Sequence, residues 1–118
     1  MRMKTKVKGE NYLATYNPAT STVALQGVLR LRGAAEYGPI VQLLDDVISA
    51  APKTITLDLQ NLTFLNSSGI NVLFKFVIKM REQENSHLIV HGTTEVPWQD
   101  KSLKNLQRLM PTLHLKLT

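Results

Sequence analysis

The chain contains 118 residues, which is the size of one ordinary domain and too short for two. Its 14 Lys+Arg outnumber 9 Asp+Glu and give a net charge of +5, a balance that suggests an anionic partner. The excess is confined to residues 1–9 and 96–118, because residues 10–95 hold more acids than bases. We therefore predict a basic N-terminal arm (residues 1–9) before a single domain (residues 10–118), and we expect no direct binding of nucleic acid.

Composition and motifs give no support to an enzyme. The absence of cysteine excludes disulfides, thiol nucleophiles and cysteine-ligated metals. His87, His91 and His114 lie in separate segments without ligands at metal-binding spacing, and no nucleophile elbow, dinucleotide fingerprint or phosphate loop occurs. No apolar run has the length of a signal peptide or a bilayer span. We expect a cytoplasmic, non-enzymatic protein without a catalytic residue, metal, cofactor or membrane insertion.

The first half of the chain predicts a β-hairpin followed by a helix. Residues 11–16 favour a strand, residues 17–20 have turn chemistry, and apolar residues alternate with others along residues 23–32. Between residues 36 and 50 the apolar spacing becomes helical. Pro39 is tolerated in the first turn, which places the helix start close to it, and Pro52 ends the helix.

The second half predicts repeated strand and helix units. Strand patterns occupy residues 54–59, 88–90 and 113–117, and amphipathic helices occupy residues 69–84 and 103–110. The segments at 60–68 and 93–100 are predicted as loops. A helix between two strands makes the strands parallel. The predicted fold is α/β: an open mixed sheet of about five strands with three main helices, packed on one face or on both.

The most informative segment is residues 55–77, with the sequence ITLDLQNLTFLNSSGINVLFKFV. Ser67 and Ser68 open a helix beyond the carboxyl end of a parallel strand, where open α/β sheets place functional loops. Their hydroxyls can cap the first turn, and Gly69 lets a backbone or a phosphate approach closely. On pattern alone, simple helix capping is the commoner explanation.

The same segment resembles the signature of the STAS domain, the module named for sulfate transporters and anti-sigma factor antagonists. The resemblance rests on the strand residues Leu57-Asp58-Leu59 and on the loop and helix start Leu62-Thr63-Phe64-Leu65-Asn66-Ser67-Ser68-Gly69-Ile70, and the order of elements extends it over most of the chain. It implies a STAS-type fold.

The resemblance also implies a signalling role in transcription regulation. In anti-sigma factor antagonists a partner kinase phosphorylates the second serine of this loop, which by position is Ser68, with Ser67 as the alternative. The implied partner is an anti-sigma factor or serine-kinase-type protein, with a metal-dependent serine phosphatase as a further partner. The resemblance implies that unphosphorylated protein binds the kinase and that phosphorylated protein is released. The implied partner-binding residues are Asn66, Ser67, Ser68, Gly69, Ile70 and Arg30.

Two residues depart from the family pattern. Asn66 stands where aspartate is common, and Arg30 stands where antagonists often have an acid. Both changes remove negative charge from the same end of the sheet. The partner is therefore expected to be more acidic than the usual kinase.

Other interpretations stay open. The fold can also serve as a constitutive structural subunit of a membrane transport complex, and nucleic-acid binding through the basic ends is a third hypothesis. Trp98 is either a partner anchor or a lid over the core. The alternating bases Lys4, Lys6 and Lys8 suit a nucleic-acid or membrane contact, a disordered end or an edge strand.

Overall fold

The computed structural model describes residues 4–118, which form one seven-stranded sheet and three helices. Met1 to Met3, the first third of the predicted arm, lie outside the described residues. None of the described helices is long and apolar enough to cross a membrane. The strands are β1 (Lys6–Lys8), β2 (Tyr12–Asn17), β3 (Thr22–Leu29), β4 (Thr54–Asp58), β5 (Leu62–Leu65), β6 (His87–Gly92) and β7 (His114–Leu117), and the helices are α1 (Gly33–Ser49), α2 (Ser67–Arg81) and α3 (Pro97–Leu109).

The sheet is mixed, as predicted. Its strand order is β1-β2-β3-β4-β6-β7, with antiparallel pairing from β1 to β3 and parallel pairing from β3 to β7. The short β5 pairs in parallel with the end of β3, after a register shift between Gly27 and Val28. Because β4 and β5 share β3 as a neighbour, the chain between them stays at the carboxyl end of the sheet.

The sheet has seven strands instead of about five, because two short strands carry little periodic signal. β1 has a single buried residue, Val7, and is recognisable only from its pairing with β2. β5 lies in the segment predicted as a loop and has two adjacent exposed residues, Thr63 and Phe64, instead of strict alternation. Its strand conformation depends on pairing with β3.

All three helices begin earlier than predicted, α2 by two residues, at Ser67 instead of Gly69. α1 begins at Gly33, so Pro39 lies inside the helix. The missing N–H of Pro39 leaves the carbonyl of Ala35 without its helical donor, and both residues are exposed to water, which can satisfy it. α3 begins at Pro97 because proline is favoured at the first helical position. The hydrophobic pattern did not reveal the first turn of α3, because the fully buried residue there, Gln99, is polar.

All three helices lie on one face of the sheet. Along β4, Ile55 and Leu57 are fully buried, whereas Thr54, Thr56 and Asp58 are only half-buried. The same alternation runs through β3, and the buried residues of the helices join the buried face in one core cluster. The opposite face, which we call the open face, is covered by no element of residues 4–118.

Candidate functional site

The start of α2 is organised by the side chain of Asn66. Its Oδ1 accepts a hydrogen bond of 2.9 Å from the backbone N–H of Gly69, which makes Asn66 the N-cap. Its Nδ2 donates to the carbonyl of Leu31 at 2.8 Å, and its backbone N–H donates to Leu29 at 3.1 Å. Asn66 therefore ties the start of α2 to the segment that leads from β3 into α1.

Tyr37 reinforces this cap from α1. Its hydroxyl donates to Asn66 Oδ1 at 2.7 Å, and the side chain is 1% exposed. Burial raises the pKa of the Tyr37 hydroxyl above its ordinary value of 10.0, because the phenolate is poorly solvated there. The phenol therefore stays protonated and keeps its donor at neutral pH.

Gly69 is required by close packing at the same point. A Cβ added there would lie 2.6 Å from the Tyr37 hydroxyl and would overlap Leu65 Cδ1. Both approaches are closer than van der Waals contact. The glycine of the motif therefore admits the tyrosine and the leucine that hold the cap, in addition to any role in approach by a ligand.

The two serines occupy the first two helical positions and face different surroundings. Ser67 is exposed, whereas Ser68 is half-buried. The capping role predicted for their hydroxyls is wrong, because Asn66 supplies the cap. Within the described part of the chain neither hydroxyl makes a hydrogen bond, so both are free to react or to contact a partner.

Ser68 lies at the wall of a groove between α1 and α2. The groove has a volume of about 390 Å³. Small residues of α1 keep it open, and a Cβ added at Gly38 would meet nothing within 4 Å. The α1 wall consists of Gly33, Ala34, Gly38 and Val41, and the α2 wall consists of Ser68, Asn71, Val72, Lys75 and Lys79.

The α2 wall is a stripe at helical spacing that runs from Ser68 through Val72 and Lys75 to Lys79. Lys79 donates to Asp45 of α1 at 2.7 Å, an ion pair with both side chains well exposed to water. Lys75 is exposed and makes no ion pair within residues 4–118. The groove thus combines a serine hydroxyl, a mainly apolar floor and a free ammonium group.

Arg30 lies at the same end of the sheet but on the open face. Its guanidinium carbon is 4.5 Å from the centre of the Phe64 ring, within the range of a cation–π contact. Phe64 is 38% exposed and is the large apolar side chain that stands out to solvent among the described residues. Sequence reasoning named Arg30 but missed Phe64. Phe64 was missed because its segment, which forms β5, was predicted as a loop.

The predicted site residues Asn66, Ser67, Ser68, Gly69 and Ile70 are thus contiguous at the start of α2, while the Arg30 side chain points to the other face. Trp98 is half-buried against the core, and its Nε1 donates to the carbonyl of Leu62 at 3.1 Å. The three histidines lie on β6 and β7. Residues 4–118 contain no group of three histidine or acidic side chains that could hold a metal ion.

Several solved structures have a fold similar to that of this chain. A chain of the crystal structure of the diguanylate cyclase SiaD in complex with its activator SiaC, from Pseudomonas aeruginosa, is similar with a TM-score of 0.75 and 10% identity, over 98% of this chain and 100% of that one. A structure of SiaC from the same organism has a TM-score of 0.74 and 12% identity, over 96% and 95% of the two chains.

An anti-sigma factor antagonist from Mycobacterium paratuberculosis has a TM-score of 0.58 and 17% identity, over 92% of this chain and 81% of that one. At these identities the likeness concerns the fold. No curated protein matched the chain. The sequence model of the STAS domain matches residues 16–113, which include the strand, loop and helix of the serine motif. The chain therefore belongs to the STAS domain family.

Proposed function

We propose that the chain is a cytoplasmic partner-binding module that works by phosphorylation-dependent partner switching and carries out no catalysis itself. The α1–α2 groove and the Asn66–Gly69 loop contact an anti-sigma factor or serine-kinase-type protein, and Ser68 is the phosphorylated residue. Membership of the STAS family supports this role. So does the fold it shares with an anti-sigma factor antagonist and with SiaC, the activator in complex with SiaD.

The observation that carries the proposal is the place of Ser68 on the groove wall. Ser67 precedes it by one residue yet is absent from the groove lining. A modification at Ser68 therefore changes the proposed docking surface itself, whereas a modification at Ser67 lies outside the groove and points to solvent. This difference favours Ser68 over Ser67 as the switch residue.

The chemistry of a phosphate fits an on–off signal here. Phosphorylation adds about −1.5 to −2 charges, which the positive end of the α2 dipole tolerates. The same charge is unfavourable against an apolar partner surface, because the partner would have to strip water from it. We expect phosphorylation to leave the fold intact and to expel the partner.

The test is to express the tagged chain in its own host, map phosphate by mass spectrometry and identify the co-purified proteins. We expect phosphate on Ser68, retention of the partner by Ser68→Ala and loss of the partner with Ser68→Asp. Ser67→Ala is the matched control and keeps both phosphate and switching. Phosphate confined to other residues, or unchanged partner binding by Ser68→Asp, would contradict the proposed switch.

A second variant tests the groove independently of phosphorylation. Gly38→Leu fills the groove without a clash at Cβ, and leucine favours a helix over glycine, so the fold is expected to be at least as stable as before. Ala35→Leu places the same side chain at an exposed position of α1 outside the groove lining. We expect Gly38→Leu to lose at least tenfold in partner affinity, equivalent to about 1.4 kcal/mol, and Ala35→Leu to keep it. Equal affinities would exclude the groove as the docking site.

The alternative is a constitutive structural subunit of a membrane transport complex. It is favoured by Asn66, whose amide is engaged by Gly69, Tyr37 and Leu31 and offers no carboxylate to orient the Ser68 hydroxyl. In that case Ser68→Ala keeps full function, no phosphate is found, and the chain co-purifies with a membrane-associated ATPase.

A further inference from the structure

The open face of the sheet brings together cations from distant parts of the sequence. Lys6 and Lys8 flank the buried Val7 on β1, so both point to the open face. Lys116 on β7 pairs with His91 of β6 and is exposed on the same face. β1 and β7 are the two edges of the sheet. Lys116, near the C-terminal end, therefore shares one surface with Lys6 and Lys8 of the N-terminal arm.

Arg30 and Phe64 complete this surface at the carboxyl end of the sheet. Phe64 pairs with Val28 and lies opposite the buried face to which Leu29 and Leu65 belong. Arg30 lies over the Phe64 ring and makes no ion pair within the described residues. An exposed aromatic ring beside a guanidinium can enter the headgroup region of a bilayer while the charge stays with the phosphates.

Few negative charges oppose these cations. Asp58 is the acid on the central strands, where it is half-buried and accepts a hydrogen bond from the Gln60 N–H, and Glu10 stands near Arg30. The centre of the face is otherwise uncharged. It is formed by Leu13, Thr15, Ala24, Gln26, Thr56 and Ile89.

The spacing of the cations suits a planar anionic surface. The two edges of the sheet are separated by five strand spacings, or about 24 Å. Stacking of single-stranded bases on a sheet face uses two or three aromatic rings, whereas Phe64 is the one exposed large apolar side chain among residues 4–118. A membrane meets Lys6, Lys8, Arg30 and Lys116 at once, together with Phe64. Two copies of the face cannot pair with each other, because their cations would repel.

We propose that the open face is a peripheral docking surface for anionic lipid membranes. This proposal does not depend on the phosphorylation switch. Because the α1–α2 groove lies in the helix layer on the other side of the sheet, a membrane-bound molecule keeps the groove free for a protein partner. The interaction is electrostatic with one aromatic anchor, so it is reversible and sensitive to salt.

The test is co-sedimentation of the full chain with vesicles of phosphatidylcholine alone or with 30 mol% phosphatidylglycerol. We expect binding to the anionic vesicles only, weakened at least fivefold between about 50 and 300 mM NaCl. Each basic residue near an anionic membrane is expected to raise the affinity about fivefold. The double variant K6E/K116E should therefore bind the anionic vesicles at least 25-fold more weakly. Phe64→Ser weakens binding to the same vesicles at unchanged charge.

The matched control is K101E/K104E, which changes the net charge equally but on exposed positions of α3. It is expected to keep at least half of the binding, and thermal unfolding verifies that both double variants are folded. Absence of binding to the anionic vesicles, or equal losses in the two double variants, would overturn the proposal. Preferential binding of a thymidine oligonucleotide in competition with the vesicles would assign the face to nucleic acid instead.

Discussion

Two carboxamide side chains, Asn66 and Gln99, perform related tasks at the starts of two helices. Gln99 of α3 donates to the carbonyls of Leu59 and Leu62 at 2.6 and 3.0 Å and accepts from the Thr93 N–H at 2.9 Å. Asn66 likewise joins a helix start to segments at the carboxyl ends of strands. The chemistry is shared, but Gln99 is fully buried and Asn66 is half-buried.

The difference separates a structural connection from a functional one. The Gln99 side chain is fully buried against Gly92, so a ligand cannot reach it. Asn66 stands two residues before Ser68 and the groove, so the geometry of its cap sets the position of the docking surface. Substitution at Gln99 is therefore expected to affect stability, and substitution around Asn66 to affect both stability and partner binding.

The largest effect is expected for Gln99→Leu. The two carbonyls keep other donors, the N–H of Leu62 and the Nε1 of Trp98, but the buried N–H of Thr93 loses its acceptor. An unpaired buried donor together with the lost hydrogen bonds costs about 3 kcal/mol. Urea unfolding measures the loss, with the exposed Gln83→Leu as control. A change below about 1 kcal/mol would mean that the buried amide does not stabilise the start of α3.

Gly69→Ala is expected to cost about 2 kcal/mol, since the new methyl group overlaps Leu65 and the Tyr37 hydroxyl. The matched control is Gly38→Ala, the same change in α1 where nothing lies within 4 Å. That control is expected to gain up to about 1 kcal/mol from helix propensity. Thermal unfolding of the pair distinguishes close packing from propensity, and equal shifts would contradict the close contact at Gly69.

Asn66→Asp tests the amide against the carboxylate that is common in the family. The aspartate keeps the cap to Gly69 but places an oxygen where the Nδ2 group donates to the Leu31 carbonyl. We expect a loss of about 1.5 kcal/mol at pH 7, which becomes smaller below about pH 4 as the new carboxyl takes up a proton. Asn71→Asp, exposed on α2, is the control. Equal or greater stability of the Asn66→Asp variant at pH 7 would show that the Leu31 contact is dispensable.

Tyr37→Phe is expected to have the smallest effect, about 1 kcal/mol, because Asn66 Oδ1 keeps its bond to Gly69. The raised pKa of Tyr37 makes this contribution pH-dependent. It is fully present below the unfolded-state pKa of about 10 and is lost as the pH rises through the higher folded-state pKa. The stability difference between wild type and variant, measured from pH 8 to 11, should therefore shrink. A constant difference would contradict this linkage.

The main features of the site were predictable because they are local. Helical spacing, turn residues and the Asn-Ser-Ser-Gly start depend on residues a few positions apart, and they located α2 and the serine loop. The family match over residues 16–113 confirms the resemblance read from this motif. The sequence did not decide whether the serines or Asn66 supply the cap, since serine and asparagine both cap helices well.

The remaining features of the fold and of the site depended on contacts between distant segments of the chain. Sequence alone determined the order of the main elements, the mixed α/β class, the serine loop and the uneven distribution of charge. Tertiary structure decided that all helices cover one face, that Phe64 belongs to a strand, that Gln99 is buried and that Lys6 and Lys116 share a surface. The physical reason is that periodicity and capping act within a few residues, whereas strand pairing and burial join residues that the chain separates widely.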